Sequence, residues 1–150
     1  MGNQKGKTMY KKGINAYQSV GGRDQATTAD PYQLIQMLMN GAMQKLAYGK
    51  GAIERKDLAA KSENLTKALS IVNALQDGLD MSAESEVAGN MYDLYDFVKR
   101  QIIDAMGSSS IEAIDNSLLV MRNLKEGWDA IPVAAREQAF AQREQMAVGG

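Results

Sequence analysis

The side chains of this chain that could do chemistry are almost all carboxylates and amines. Its 150 residues include no histidine and no cysteine, which removes the commonest general base, the thiol nucleophile and the ligands that soft metals prefer. Two close pairs of acids remain, Glu84 with Glu86 and Asp93 with Asp96. Paired carboxylates can divide general acid and base roles between them. Here the first pair reads more simply as favourable charge at a helix N-terminus, and the second as a solvated helix face. A di-iron site in a helical bundle draws on Glu-x-x-His pairs, which a chain without histidine cannot supply. Gly49-Lys50-Gly51 lacks the preceding strand and the spacing of a phosphate-binding loop. The expectation is a protein that is not an enzyme, with no catalytic residue, no metal site and no cofactor; a carboxylate enzyme is the weakest rival.

Apolar side chains at helical spacing are the stronger signal, and helices must position them. Hydrophobic residues make up 45% of the chain, two residues are proline and ten are methionine, which suits helices better than a turn-rich β fold. Asp30 offers a capping carboxylate, and Pro31 suits the first helical position. From there Ile35, Leu38, Ala42, Leu46, Gly49 and Ile53 recur at steps of three and four, predicting a helix with one core face. Met37, Gly41, Gln44 and Tyr48 fall on its other side, where a purely solvent-facing surface would carry Lys and Glu.

Asp57 can cap a second helix with the stripe Leu58, Leu65, Ala68, Leu69, Val72, Leu75 and Leu79, close to a heptad seam. Gly78 and Asp80-Met81-Ser82 end it. The third predicted helix turns Val87, Met91, Leu94, Tyr95, Val98, Ile102 and Ala105 toward the core. Gly107 and Ser108-Ser109-Ser110 separate it from a fourth, with Ser109 and Glu112 at capping-box spacing and a stripe of Ile111, Ile114, Leu118, Met121, Leu124 and Trp128. Four helices of about 20 residues joined by short turns predict an all-α fold, an antiparallel up-and-down four-helix bundle. One domain of residues 1–150 would hold this bundle at 30–131, a flexible N-terminal arm at 1–29, and a tail at 132–150 with room for a short C-terminal helix from Val133 to Met146.

The formal net charge of -1 hides a basic arm, because Lys5, Lys7, Lys11, Lys12 and Arg23 all precede the first acid, Asp24. No helix carries a stripe of Lys and Arg, and no aromatic residue beyond Tyr10 is interleaved with the basic ones, so nucleic acid is not the expected partner. No apolar run approaches the roughly 20 residues of a membrane span and no apolar block follows the basic N-terminus, which predicts no membrane span, no secretory signal and a cytoplasmic location.

With the core assigned, Met37, Tyr48, Tyr92, Ile103 and Leu119 are left as apolar surface, together with Phe97 and Val120, more than a monomeric bundle needs. Tyr10, Ile14 and Tyr17, at steps of four and three, could lie on such a surface as a displaceable cover. These eight, Tyr10 to Tyr17 on the arm and Met37, Tyr48, Tyr92, Ile103 and Leu119 as groove wall, form the candidate partner-binding set for an amphipathic segment. The rival is a homo-oligomeric helical structural or adaptor protein that buries the same faces, with a weak homodimer as its mildest form.

The run Ala29-Asp30-Pro31-Tyr32-Gln33-Leu34-Ile35-Gln36-Met37-Leu38-Met39-Asn40-Gly41-Ala42 is preceded by Tyr10 and Ala16-Tyr17. It is followed by Ile53-Glu54-Arg55, Lys67 to Val72, Leu75 to Asp80, Asn90 to Phe97, Trp128 and Ile131. This ordered series resembles the FliS family of flagellar secretion chaperones. Met39-Asn40 departs from the family's usual tyrosine and aspartate, and Ser82 to Ser85 from its common pair of glycines. The resemblance implies a cytosolic export chaperone of the flagellar type III secretion system. Its partner would be the C-terminal segment of flagellin, disordered before assembly, which the chaperone would keep from polymerising prematurely. The resemblance further implies contact with components of the flagellar export apparatus, and an N-terminal segment lying over part of the binding surface.

Overall fold

Helix ends are set by local chemistry in the computed structural model, which describes residues 30–81, 86–132 and Ala134. The helices are α1 (Pro31–Glu54), α2 (Leu58–Asp77), α3 (Glu86–Ser108) and α4 (Ile111–Asp129). The Asp30 carboxylate accepts from the Gln33 amide at 2.8 Å, and Pro31 opens α1. Asp57 likewise accepts from the Ala60 amide at 3.0 Å to cap α2. Between them Lys56 takes a left-handed φ of 59°. The amide of Lys56 donates to the Ile53 carbonyl at 3.0 Å and that of Asp57 to Ala52 at 2.8 Å, the paired bonds of a Schellman motif. Asp57 therefore closes one helix and opens the next, which forces α1 and α2 into a tight antiparallel hairpin.

The turn between α3 and α4 corrects the expected capping box. Ser109 is consumed in ending α3, with a left-handed φ of 58° and its amide donating to the Ala105 carbonyl at 2.9 Å. Ser110 is the cap of α4 instead, its Oγ accepting from the Ala113 amide at 3.0 Å. A left-handed residue cannot also hold the extended backbone that an N-cap requires.

The bundle is all-α and antiparallel up-and-down, each helix packing on the next and α4 returning to α1. The α1–α2 seam is the most extensive of the four. Its closeness has a local cause in Gly49, where a Cβ would stand 2.5 Å from Leu65 Cδ2. Ile35, Met39, Leu46, Leu65, Leu75, Tyr95, Ile102, Ile114 and Met121 are fully buried. The ring of helices is closed where the Trp128 indole N–H donates to the Tyr32 carbonyl at 3.1 Å and the two rings stack at 5.0 Å.

The core face of α1 is wider than its predicted stripe and takes in Leu34 and Met39. Three residues expected in the core are exposed: Leu58, Val87 and Leu94. Leu58 is the first residue of α2, and helical side chains lean toward the N-terminus, so it points past the end of the bundle. Val87 and Leu94 stand at the margin of the α3 stripe, on the flank beside α4. Phe97 and Val120, expected as surplus surface, are half-buried against the core. No described helix is long and apolar enough to cross a membrane. The expectations placed on the arm, including Tyr10, Ile14 and Tyr17, and on the tail beyond Pro132 lie outside the described residues.

Candidate partner-binding surface

On α1 the steps from Met37 to Gly41 and on to Tyr48 are four and seven residues, which keeps all three on one flank. That flank borders α2, because a Cβ on Gly41 would touch Ile71 Cδ1 at 3.6 Å. Tyr48 carries Lys45 over its ring, Nζ at 5.7 Å from the centroid, an arrangement that holds a cation beside an apolar surface.

On α3 the steps from Tyr92 to Lys99 and on to Ile103 are seven and four, so these too share a flank. It borders the opposite side of α2. Lys99 Nζ donates to Asn73 Oδ1 at 2.9 Å and to Gln76 Oε1 at 2.6 Å, and Gln76 Nε2 donates to the Tyr92 carbonyl at 3.1 Å. Gln76 is buried, and its full use of both amide atoms fixes the register of α3 on α2 without leaving a buried polar group unmatched. The sequence reading passed over this bridge. Its signal was present in Gln76 four residues after Val72 and Lys99 four after Tyr95, each on the edge of a core stripe.

Met37, Tyr48, Tyr92, Ile103 and Leu119 are each between 40% and 56% exposed. They do not converge on one groove. Met37 with Tyr48, and Tyr92 with Ile103, form two tracks on either side of α2, each about 16 Å long at three helical turns. Between the tracks lies the polar outer face of α2, with Ser62, Glu63, Thr66, Lys67, Ser70, Asn73 and Asp77 exposed. Leu119 stands apart on the outer face of α4, four residues after Asp115, which bridges to Lys50 on α1, while Val87 and Leu94 are exposed on α3. Such a surface offers separated apolar footholds to an extended chain. Among the described residues no three His, Cys, Asp or Glu side chains are grouped to hold a metal ion.

Comparison with known proteins gives this surface its context. The family model described as flagellar protein FliS matches residues 13–135. The flagellar secretion chaperone FliS of Vibrio cholerae is 35% identical over 119 residues, covering 79% of this chain and 88% of its own. The Salmonella typhimurium chaperone of the same name is 35% identical over 127 residues, or 84% of this chain and 94% of its own. Flagellar secretion chaperone FliSB of Pseudomonas aeruginosa is 33% identical over 120 residues, 80% and 95% of the two chains. In structure, the bundle is similar to that of a crystallised bacterial flagellar chaperone, with a TM-score of 0.63 at 19% identity over 85% of this chain and 99% of the other. A family match across most of the chain, together with relatives of this identity and coverage, decides the assignment: the chain belongs to the FliS family of flagellar secretion chaperones, a family of chaperones and not of enzymes.

Proposed function

We propose that this chaperone holds the C-terminal segment of flagellin in the cytoplasm, keeps it from polymerising there, and delivers it to the flagellar export apparatus. The observation that carries the reading is the division of exposed apolar residues into separated tracks on several sides of the bundle. A compact partner would need one continuous patch. A disordered segment can instead wrap the bundle and bury a foothold at each track, with part of the gross contact energy spent on ordering it. An extended interface of that kind can be peeled off track by track, which suits a cargo that must be released for export. On the same reading Tyr10, Ile14 and Tyr17 act as a cover that the cargo displaces.

Titration calorimetry of a flagellin C-terminal peptide against Tyr92→Ala combined with Ile103→Ala tests the reading. Tyr92 is 40% and Ile103 56% exposed, so the variant should keep its fold by circular dichroism. Binding should weaken by about 2 kcal/mol or more, since buried aromatic anchors commonly dominate an interface. Unchanged affinity in the folded double variant removes the α2–α3 track from the binding surface.

A further inference from the structure

Lys50, Lys67 and Lys125 each sit on a carboxylate, that of Asp115, Glu63 and Asp129 respectively. Lys99 does not. Among the described residues it has no ion pair, and its ammonium is held instead by two neutral amide oxygens, Asn73 Oδ1 at 2.9 Å and Gln76 Oε1 at 2.6 Å. Asp96, one turn earlier on α3, is engaged elsewhere. Arg100 donates to its Oδ2 and Gln76 Nε2 to its Oδ1 at 3.5 Å. The other described lysines without an ion pair are placed differently: Lys45 lies over the Tyr48 ring, Lys61 donates to Ser109 Oγ at 2.8 Å, and Lys56 is exposed in the turn after α1.

Lys99 is seven residues after Tyr92 and four before Ile103, which places it about 10 Å along the helix from the first and about 6 Å from the second. Lys99 is half-buried, with an exposed apolar neighbour on either side. A segment resting on both Tyr92 and Ile103 has to cross it and displace its water. Two of the three ammonium donors are already used on neutral oxygens, and the full positive charge remains. Apolar surface laid over that charge would bury it without a counter-ion, an expensive arrangement. A carboxylate at the same point would form a charge-assisted hydrogen bond to a group that Asn73 and Gln76 already hold in place.

We propose that Lys99 determines the specificity of the α2–α3 track, and that the segment bound there carries an aspartate or glutamate between two apolar anchors, its carboxylate on Lys99 Nζ. The inference rests on the cargo reading of this track and adds the chemistry of the segment. In a helical segment the acid stands seven residues from one anchor and four from the other; in an extended one, about three and two. A segment with lysine or arginine at that point is rejected by the same charge.

Titration calorimetry with the flagellin C-terminal peptide tests this as a double-mutant cycle. Each acid of the peptide is replaced in turn by its amide, and each peptide is measured against the parent chain, Lys99→Met and Lys99→Arg, with circular dichroism as the check on fold. One replacement should weaken binding to the parent and to Lys99→Arg by at least about tenfold, and to Lys99→Met by less than about twofold. Carbodiimide coupling of the parent complex gives a readout that needs no folded variant, and should join Lys99 to that same acid as an amide. A peptide in which no acid couples to position 99, or a complex in which Lys99 stays unlinked, overturns the proposal. If that peptide still loses affinity for Tyr92→Ala with Ile103→Ala, the cargo reading of the track stands without it. A peptide that does not bind the parent chain overturns both.

Discussion

A Cβ placed on Gly49 would stand 2.5 Å from Cδ2 and 3.0 Å from Cγ of Leu65, a fully buried side chain on the neighbouring helix. The α1–α2 seam is packed around the missing methyl. Leu65 cannot step aside, because both its branch point and one terminal carbon are involved and its surroundings are core.

Helix propensity and packing therefore pull in opposite directions at different glycines of one bundle. Gly49→Ala should destabilise the protein by about 1–3 kcal/mol through overpacking, despite the better helix former. Gly89, in α3 with nothing within 4 Å of an added Cβ, should respond to Ala with a gain of about 0.5–1 kcal/mol. Urea unfolding followed by Trp128 fluorescence measures both, and two variants shifting in the same direction would contradict the packing assignment.

The left-handed residue that ends α1 is a lysine. Lys56 at φ 59° bears the Cβ strain that glycine avoids at this position of a Schellman motif. Lys56→Gly should raise the stability by about 0.5–1 kcal/mol, the strain relief being partly offset by the greater freedom of glycine in the unfolded chain. The expected result is a higher urea midpoint with an unchanged slope.

Lys50 ties α1 to α4 through Asp115 at 2.9 Å. The hydrogen bond to Asp115 and then its charge hold the Lys50 ammonium above the ordinary lysine pKa of 10.5. A raised folded-state pKa means that the bridge's contribution is fully present below the unfolded value and fades as pH rises through the folded one. It should thus be constant across neutral pH and lost only in strong alkali. Carbon-detected NMR titration should show Lys50 deprotonating above the ordinary lysine value, and Asp115→Asn should return it toward that value.

Much of the bundle was legible because its signals are local. Asp30, Pro31 and Asp57 announce helix starts through side-chain chemistry that acts within four residues, and the α1, α2 and α4 stripes follow from periodicity alone. What periodicity cannot give is the width of a core face or the identity of the neighbouring helix. Val87 and Leu94 sit at the margin of the α3 stripe, where burial depends on how closely α4 approaches, so the sequence placed them inside while the packed bundle leaves them exposed. Ser109 and Ser110 compete for one cap, and only the left-handed turn decides between them. For the candidate surface, exposure of Met37, Tyr48, Tyr92, Ile103 and Leu119 was readable as distance from a stripe. Their division into tracks on either side of α2 was not, because it depends on the Gln76 bridge and on the Gly41–Ile71 contact, both of them between helices.

Size-exclusion chromatography with multi-angle light scattering, run on the full chain alone and with a flagellin C-terminal peptide of about 40 residues, long enough to wrap the bundle, tests the wrapped-cargo reading most directly. A chain that moves from monomer or weak dimer to a one-to-one complex is the predicted result. A stable oligomer of the chain that leaves the peptide unbound would contradict it, because the tracks beside α2 would then already be occupied by other copies of the chain.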